Sequence, residues 1–167
     1  AAHRKQQILL FLHKLLRGNQ MSTFNPDTFM NAEVNESNAT AYTPVPEGEF
    51  TASIKAVKPR VLTDGRAVFD VTWIVDDEQA RVETGMAEPS VRQTLCLDIT
   101  ETGGLDFGKG KNVGLGRLRE ALDQNQSGKP WAPGMLVGGV AKIKVTHSID
   151  KRDNETIQAN VASTVKL

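Results

Sequence analysis

The sequence predicts a mainly β domain: a five-stranded Greek-key barrel with one helix between the third and fourth strands. Three observations predict it. Alternating apolar and polar residues begin at Gly48 and recur through three segments. A glycine-rich connection then runs into residues at helical spacing, and two further alternating segments follow, separated by a short polar loop. Period-two alternation places one set of side chains in a core and the other in solvent, which defines a half-buried strand.

The first strand is "GEFTASIKAVK", with Phe50, Ala52, Ile54 and Ala56 on one face and Glu49, Thr51, Ser53 and Lys55 on the other. "PRVLTDGR" reads as the turn after it, because Asp64-Gly65 suits the positive backbone angles of a tight hairpin. In the second strand, "AVFDVTWIV", Ala67, Phe69, Val71, Trp73 and Val75 make the more apolar face. Residues 76–89 read as a polar loop, with Asp76, Asp77 and Glu78 forming a solvated acidic turn. The third strand, "SVRQTLCLDIT", sets Val91, Leu95, Leu97 and Ile99 against Arg92, Thr94, Cys96 and Asp98.

Asn112 is a natural N-cap for a short helix carrying Val113, Leu118, Ala121 and Leu122, and "QNQSGKPWAPG" terminates it. The fourth strand lies in "MLVGGVAKIKVTHSI", with Ala141, Ile143 and Val145 inward. The fifth lies in "TIQANVASTVKL", with Ile157, Ala159, Val161 and Val165; "DKRDNE" is the hairpin loop between them. Strand, strand, strand, helix, strand, strand is the element order of the OB-fold, and residues 47–167 are assigned to an OB-fold-like barrel.

Two segments precede it. Residues 21–46 hold three acids, no Lys or Arg, and many Asn, Thr, Ser and Pro, the composition of a flexible polar arm. Residues 1–20 form a basic amphipathic segment. Ile8, Leu9, Phe11, Leu12, Leu15 and Leu16 make its apolar stripe, and Arg4, Lys5, Lys14 and Arg17 lie elsewhere. Met21 opens "MSTF" like an ordinary protein start, and codons for Arg17-Gly18 can spell a ribosome-binding sequence. The segment is therefore read as a non-native upstream extension, against the alternative of an authentic docking helix. Its run ILLFL is too short for a secretory signal.

At 167 residues and 39% hydrophobic content the chain can bury one core without disulfides or a metal. The lone Cys96, expected to pack at the edge of the core, and the scattered His3, His13 and His147 imply no internal bridge, metal site or cofactor, and an intracellular, cytoplasmic setting. His147, with no carboxylate or nucleophile near it in sequence, is read as structural rather than catalytic, and the protein as a non-enzyme. Zero net charge excludes a uniformly basic nucleic-acid binder but not one with charge segregated by face.

The stretch "GGLDFGKGKNVGLG" places Gly103, Gly108 and Lys109 at the spacing of a phosphate-binding loop. Gly110 stands where the magnesium-binding hydroxyl belongs, and the surrounding chain lacks the strand–helix alternation of such folds. The stretch is read as a connector to the helix.

From Pro44 onward the layout resembles a phage-encoded family, formerly of unknown function, whose members are described as single-stranded-DNA-binding proteins. "PVPEGEFTASIKAV", "AVFDVTWIV", "LCLDIT", "VGLGRLREAL", "GMLVGGVAKIKV" and "DKRDNETIQANV" carry the resemblance. It implies an OB-fold that binds single-stranded DNA in replication or recombination in the host cytoplasm. The chain departs from many such proteins in ending with the apolar "ASTVKL" rather than an acidic tail.

OB-folds bind nucleic acid on their second and third strands, between the loops joining strands one to two and four to five. The candidate contacts are Lys55, Lys58, Arg60 and Arg66 around the first loop, Lys151 and Arg152 in the other, Arg92 on the third strand, and Lys142 and Lys144 on the fourth. Clustered cations neutralise phosphates, and exposed rings stack on bases. Trp73, near a strand end, is the candidate ring on the sheet, although its apolar face and that of Phe69 favour the core. Phe107 and Trp131 are loop alternatives. A second class of function is a small β-barrel virion or assembly protein, a homo-oligomer joined through sheet edges and its arm.

Overall fold

The structure is a computed structural model that describes residues 23–167; the amphipathic segment 1–20 lies outside the described residues. The chain divides into two compact units, one ending at Thr40 and the other running from Ala41 to Leu167. Among the described residues the first contains one short helix, α1 (Pro26–Phe29), whose N-cap Asn25 accepts from the backbone N–H of Asp27 and Thr28. Among the described residues no helix is long and apolar enough to cross a membrane.

The second unit is a closed five-stranded barrel ordered β1-β2-β3-β5-β4. Its strands are β1 (Gly48–Val61), β2 (Ala67–Val75), β3 (Ser90–Cys96), β4 (Val140–Ile149) and β5 (Ile157–Val165). All neighbours are antiparallel except β3 and β5, which meet in parallel at Arg92 and Asn160. Helix α3 (Val113–Ala121) lies between β3 and β4 in sequence. This is the predicted OB-fold-like barrel.

Trp73, Val71 and Phe69 of β2 face Val91, Gln93 and Leu95 of β3 on the inner side, and Ile54, Ile143 and Val145 fill the barrel from β1 and β4. Leu115, Leu118 and Ala121 turn one stripe of α3 into the same core. Val113, expected in that stripe, is instead 48% exposed. Between α3 and β4 a 3₁₀ turn, Pro133–Leu136, contributes the buried Leu136.

Several boundaries differ from the sequence reading for physical reasons. β1 runs on through Pro59 to Val61. Beyond Ser53 β1 has no pairing with β4, so that end is a one-sided edge where a proline is tolerated. The expected loop 76–89 contains a helix, α2 (Glu78–Thr84), capped by the Asp77 side chain on the Ala80 N–H and ended by Gly85 at φ 69°.

Asn112 is not a side-chain N-cap. It sits at φ 50°, and its amide bonds the backbone N–H and carbonyl of Asp98 and the carbonyl of Asp106, all within 2.9 Å. It clamps the glycine-rich connection to the end of β3. Val45, read as part of the polar arm, belongs to the core at 2% exposure. Its carbonyl lies 2.7 Å from His147 Nε2, while the backbone N–H of His147 donates to Glu47 Oε1.

Candidate nucleic-acid interface

Strand register decides which cations share a surface. Across β1–β2–β3, Lys58 stands opposite Asp70 and Asp70 opposite Thr94; Arg60 stands opposite Val68, and Thr72 opposite Arg92. Asp70 and Thr72 alternate with the buried Phe69, Val71 and Trp73, so Lys58, Arg60, Arg92 and Thr94 share their outward face; Val68, on the same register opposite Arg60, is buried. Lys58, Arg60 and Arg92 therefore lie together on the outer side of the sheet. Lys58 and Arg60 belong to the extended β1, rather than to the hairpin loop where they were expected.

An acid occupies the middle of this face. Asp70 accepts from Arg60 Nε and Nη2 at 2.7 and 3.2 Å and from the Thr94 hydroxyl at 2.9 Å. The Arg60 hydrogen bond is the largest influence holding the Asp70 carboxyl below its ordinary value, and Arg60 is raised in return. Asp70 thus stays ionised and masks part of the positive field.

The loop between β1 and β2 is a tight turn at Leu62–Arg66, closed by the Leu62 N–H on the Arg66 carbonyl, with Gly65 at φ 87°. Arg66 is folded back on Asp64 at 2.8 Å, and its Nη1 lies 3.9 Å from Cys96 Sγ. Cys96, expected at the edge of the core, is exposed because it falls on the outward register of β3. In the β4–β5 loop Arg152 pairs with Asp150 at 2.6 Å, and Lys151 is exposed without an ion pair among the described residues. Lys55, in the bulge of β1, pairs with Glu88 at 2.5 Å.

Lys142 and Lys144 are exposed but lie elsewhere. They face outward from β4 opposite Thr51 and Glu49, and β4 pairs with β1 and β5 but with neither β2 nor β3. They do not join the β2–β3 surface. Trp73 is a second correction: it is completely buried, and its indole N–H donates to Gln93 Oε1 at 2.9 Å inside the barrel. The inward register of β2 makes it a core residue that cannot stack on a base. Trp131 is the loop anchor, its N–H on Gln124 and its ring 4.0 Å from the Arg119 guanidinium carbon.

A cleft of about 940 Å³ opens along the β3–β5 seam, where a parallel pairing at Arg92–Asn160 joins the strands. Arg92 and Arg152 both line it, with Thr94, Gln158 and Asn160 between them. Thr94 also bonds Asp70, so the cleft is continuous with the outward β1–β3 face. Tyr42 and residues following α2 form part of its wall; neither was assigned to a site from sequence. The cap pair Asp77 and Gly85 around "EQARVET" was the available signal for α2. The aromatic in "AYTPVP" was the signal for Tyr42.

No protein-family model matches the chain, and a search of curated proteins returns no relative in sequence.

Proposed function

We propose that the protein is a non-enzymatic single-stranded-DNA-binding protein of the phage type, acting in DNA replication or recombination in the host cytoplasm. The observation that carries this reading is the shared outward face of Lys58, Arg60 and Arg92, continuous with a cleft lined by Arg92 and Arg152. Cations held at successive positions on a rigid sheet match the spaced charges of a nucleic-acid backbone. A neutral chain gains such a surface only by segregating its charge, and Asp70 tempers it. The assembly alternative relied on sheet edges and the N-terminal arm, and barrel closure bears only on the first of these.

Binding of a labelled single-stranded oligonucleotide, followed by fluorescence anisotropy at low and moderate salt, tests the reading. Binding that weakens with salt and exceeds binding to duplex is the expected result. Absence of binding at low salt, or equal affinity for duplex, overturns it.

A further inference from the structure

We infer that the β3–β5 cleft is a nucleobase subsite whose stacking platform is Tyr42. The inference rests on the single-strand-binding reading and adds an aromatic surface at the cleft; the loop candidate Phe107 is also exposed, at 80%, but does not line this cleft. Phe69 and Trp73, the rings of β2, are sealed in the core. Tyr42 lies on the lip of the cleft and is 88% exposed.

The chain is anchored close to it. Three residues on, Val45 is buried and its carbonyl meets His147 Nε2, so the backbone beside Tyr42 is already anchored before any ligand arrives. A platform held this way loses less freedom on binding than a ring in a free arm. Arg92, which has no ion pair among the described residues, lines the same cleft and supplies a cation for a phosphate flanking a stacked base, with Arg152, paired to Asp150 at 2.6 Å, also on its wall. Asn160 and Gln158 also line it, their amide N–H groups donating to Ser148 and Asp150. A face-stacking ring with flanking guanidinium groups is the chemistry that recognises an unpaired nucleotide, since a paired base does not offer its face.

The test separates stacking from charge. Tyr42→Ala is expected to weaken binding of a single-stranded oligonucleotide roughly tenfold while leaving its salt slope unchanged, because a ring releases no counterions. Tyr42→Phe, which keeps the ring, stays within about twofold of wild type. An oligonucleotide of abasic sites binds wild type and Tyr42→Ala equally. Ultraviolet cross-linking of an oligonucleotide carrying 5-iododeoxyuridine should attach at Tyr42. Unchanged affinity of Tyr42→Ala, with cross-links elsewhere, overturns the subsite and leaves the single-strand reading intact. Failure of the wild-type protein to bind any oligonucleotide removes both.

Discussion

Arg60 and Asp70 are locked side by side across β1 and β2, with Nε 2.7 Å from Oδ2 and Nη2 3.2 Å from Oδ1. The pair sits in the middle of the surface proposed to meet phosphates, so the strongest positive group there is already half spent on an internal anion. Asp70→Asn keeps the shape, releases Arg60 and removes a charge that repels phosphate. Single-strand affinity at low salt should rise several-fold, and the gain should shrink as salt rises. Anisotropy titrations at two salt concentrations measure both. A fall in affinity would show that Asp70 serves to hold Arg60 in its binding pose.

Acid sensitivity follows from the same carboxylates. The pKa of Asp70 is lowered chiefly by the Arg60 side chain, that of Asp64 by the backbone N–H of Arg66, and that of Asp150 by the Arg152 side chain. Asp153 is lowered furthest, to about 2, chiefly by the Thr156 hydroxyl and then by the Glu155 and Thr156 N–H groups. A carboxyl with a depressed folded pKa stabilises the fold above its ordinary value of 3.8 and loses that contribution as pH falls through the folded value. Thermal midpoints should therefore stay level from neutral pH to about pH 5 and decline between about pH 4 and 2. Asp153→Asn should flatten the lower end of that decline.

Burial of Trp73 separates stability from binding. Trp73→Ala should cost about 3–5 kcal/mol in chemical denaturation, the usual range for removing a buried tryptophan. Trp73→Phe, which loses the hydrogen bond to Gln93 and some volume, should cost less, and the folded variant should bind single strands as wild type does. Selective loss of binding in a fully folded Trp73→Phe protein would contradict the core assignment.

The barrel was legible because its strands alternate cleanly: Phe69, Val71 and Trp73 on one side of Asp70 and Thr72 is a pattern that admits one orientation. Which cations share a surface was less legible. That depends on register between strands far apart in sequence, which placed Arg92 beside Thr72 and carried Lys142 and Lys144 to another side of the barrel. The bulge at Lys55 and the run of β1 through Pro59 moved Lys58 and Arg60 from loop to sheet, and no local pattern announced either. Pairing hid most: Asp64, Asp70 and Asp150 each engage a nearby arginine, so the number of basic residues overstated the free charge. The ring of Tyr42 was visible in "AYTPVP", but its place beside a cleft was not, because that seam is formed by β3 and β5, each far along the chain.

Asn112 carries the glycine-rich connection. Its left-handed backbone costs little for asparagine, and its side chain holds both Asp98 and Asp106. Asn112→Ala removes three hydrogen bonds and leaves a Cβ residue at φ 50°, so stability should fall by about 2 kcal/mol or more. Asn112→Gly should recover only the backbone part. Equal stability of the two variants would mean that the amide contacts contribute almost everything. Single-strand binding by either folded variant should match wild type, consistent with a connector rather than a phosphate cradle.

The placement of the DNA path rests on a contrast between two basic pairs. Lys58 and Arg92 lie on the outward β1–β3 face without an ion pair among the described residues, whereas Lys142 and Lys144 point outward from β4. Each phosphate contact on a single strand contributes about 0.7 to the log–log salt slope, so Lys58→Ala with Arg92→Ala should flatten it by about 1.4. Lys142→Ala with Lys144→Ala should leave slope and affinity near wild type. Neither pair should shift stability by more than ~0.5 kcal/mol per residue, because the side chains are exposed. The reverse pattern, a silent Lys58/Arg92 pair and a flattened slope for Lys142/Lys144, would move the strand onto the β1–β4 side and sever it from the β3–β5 cleft.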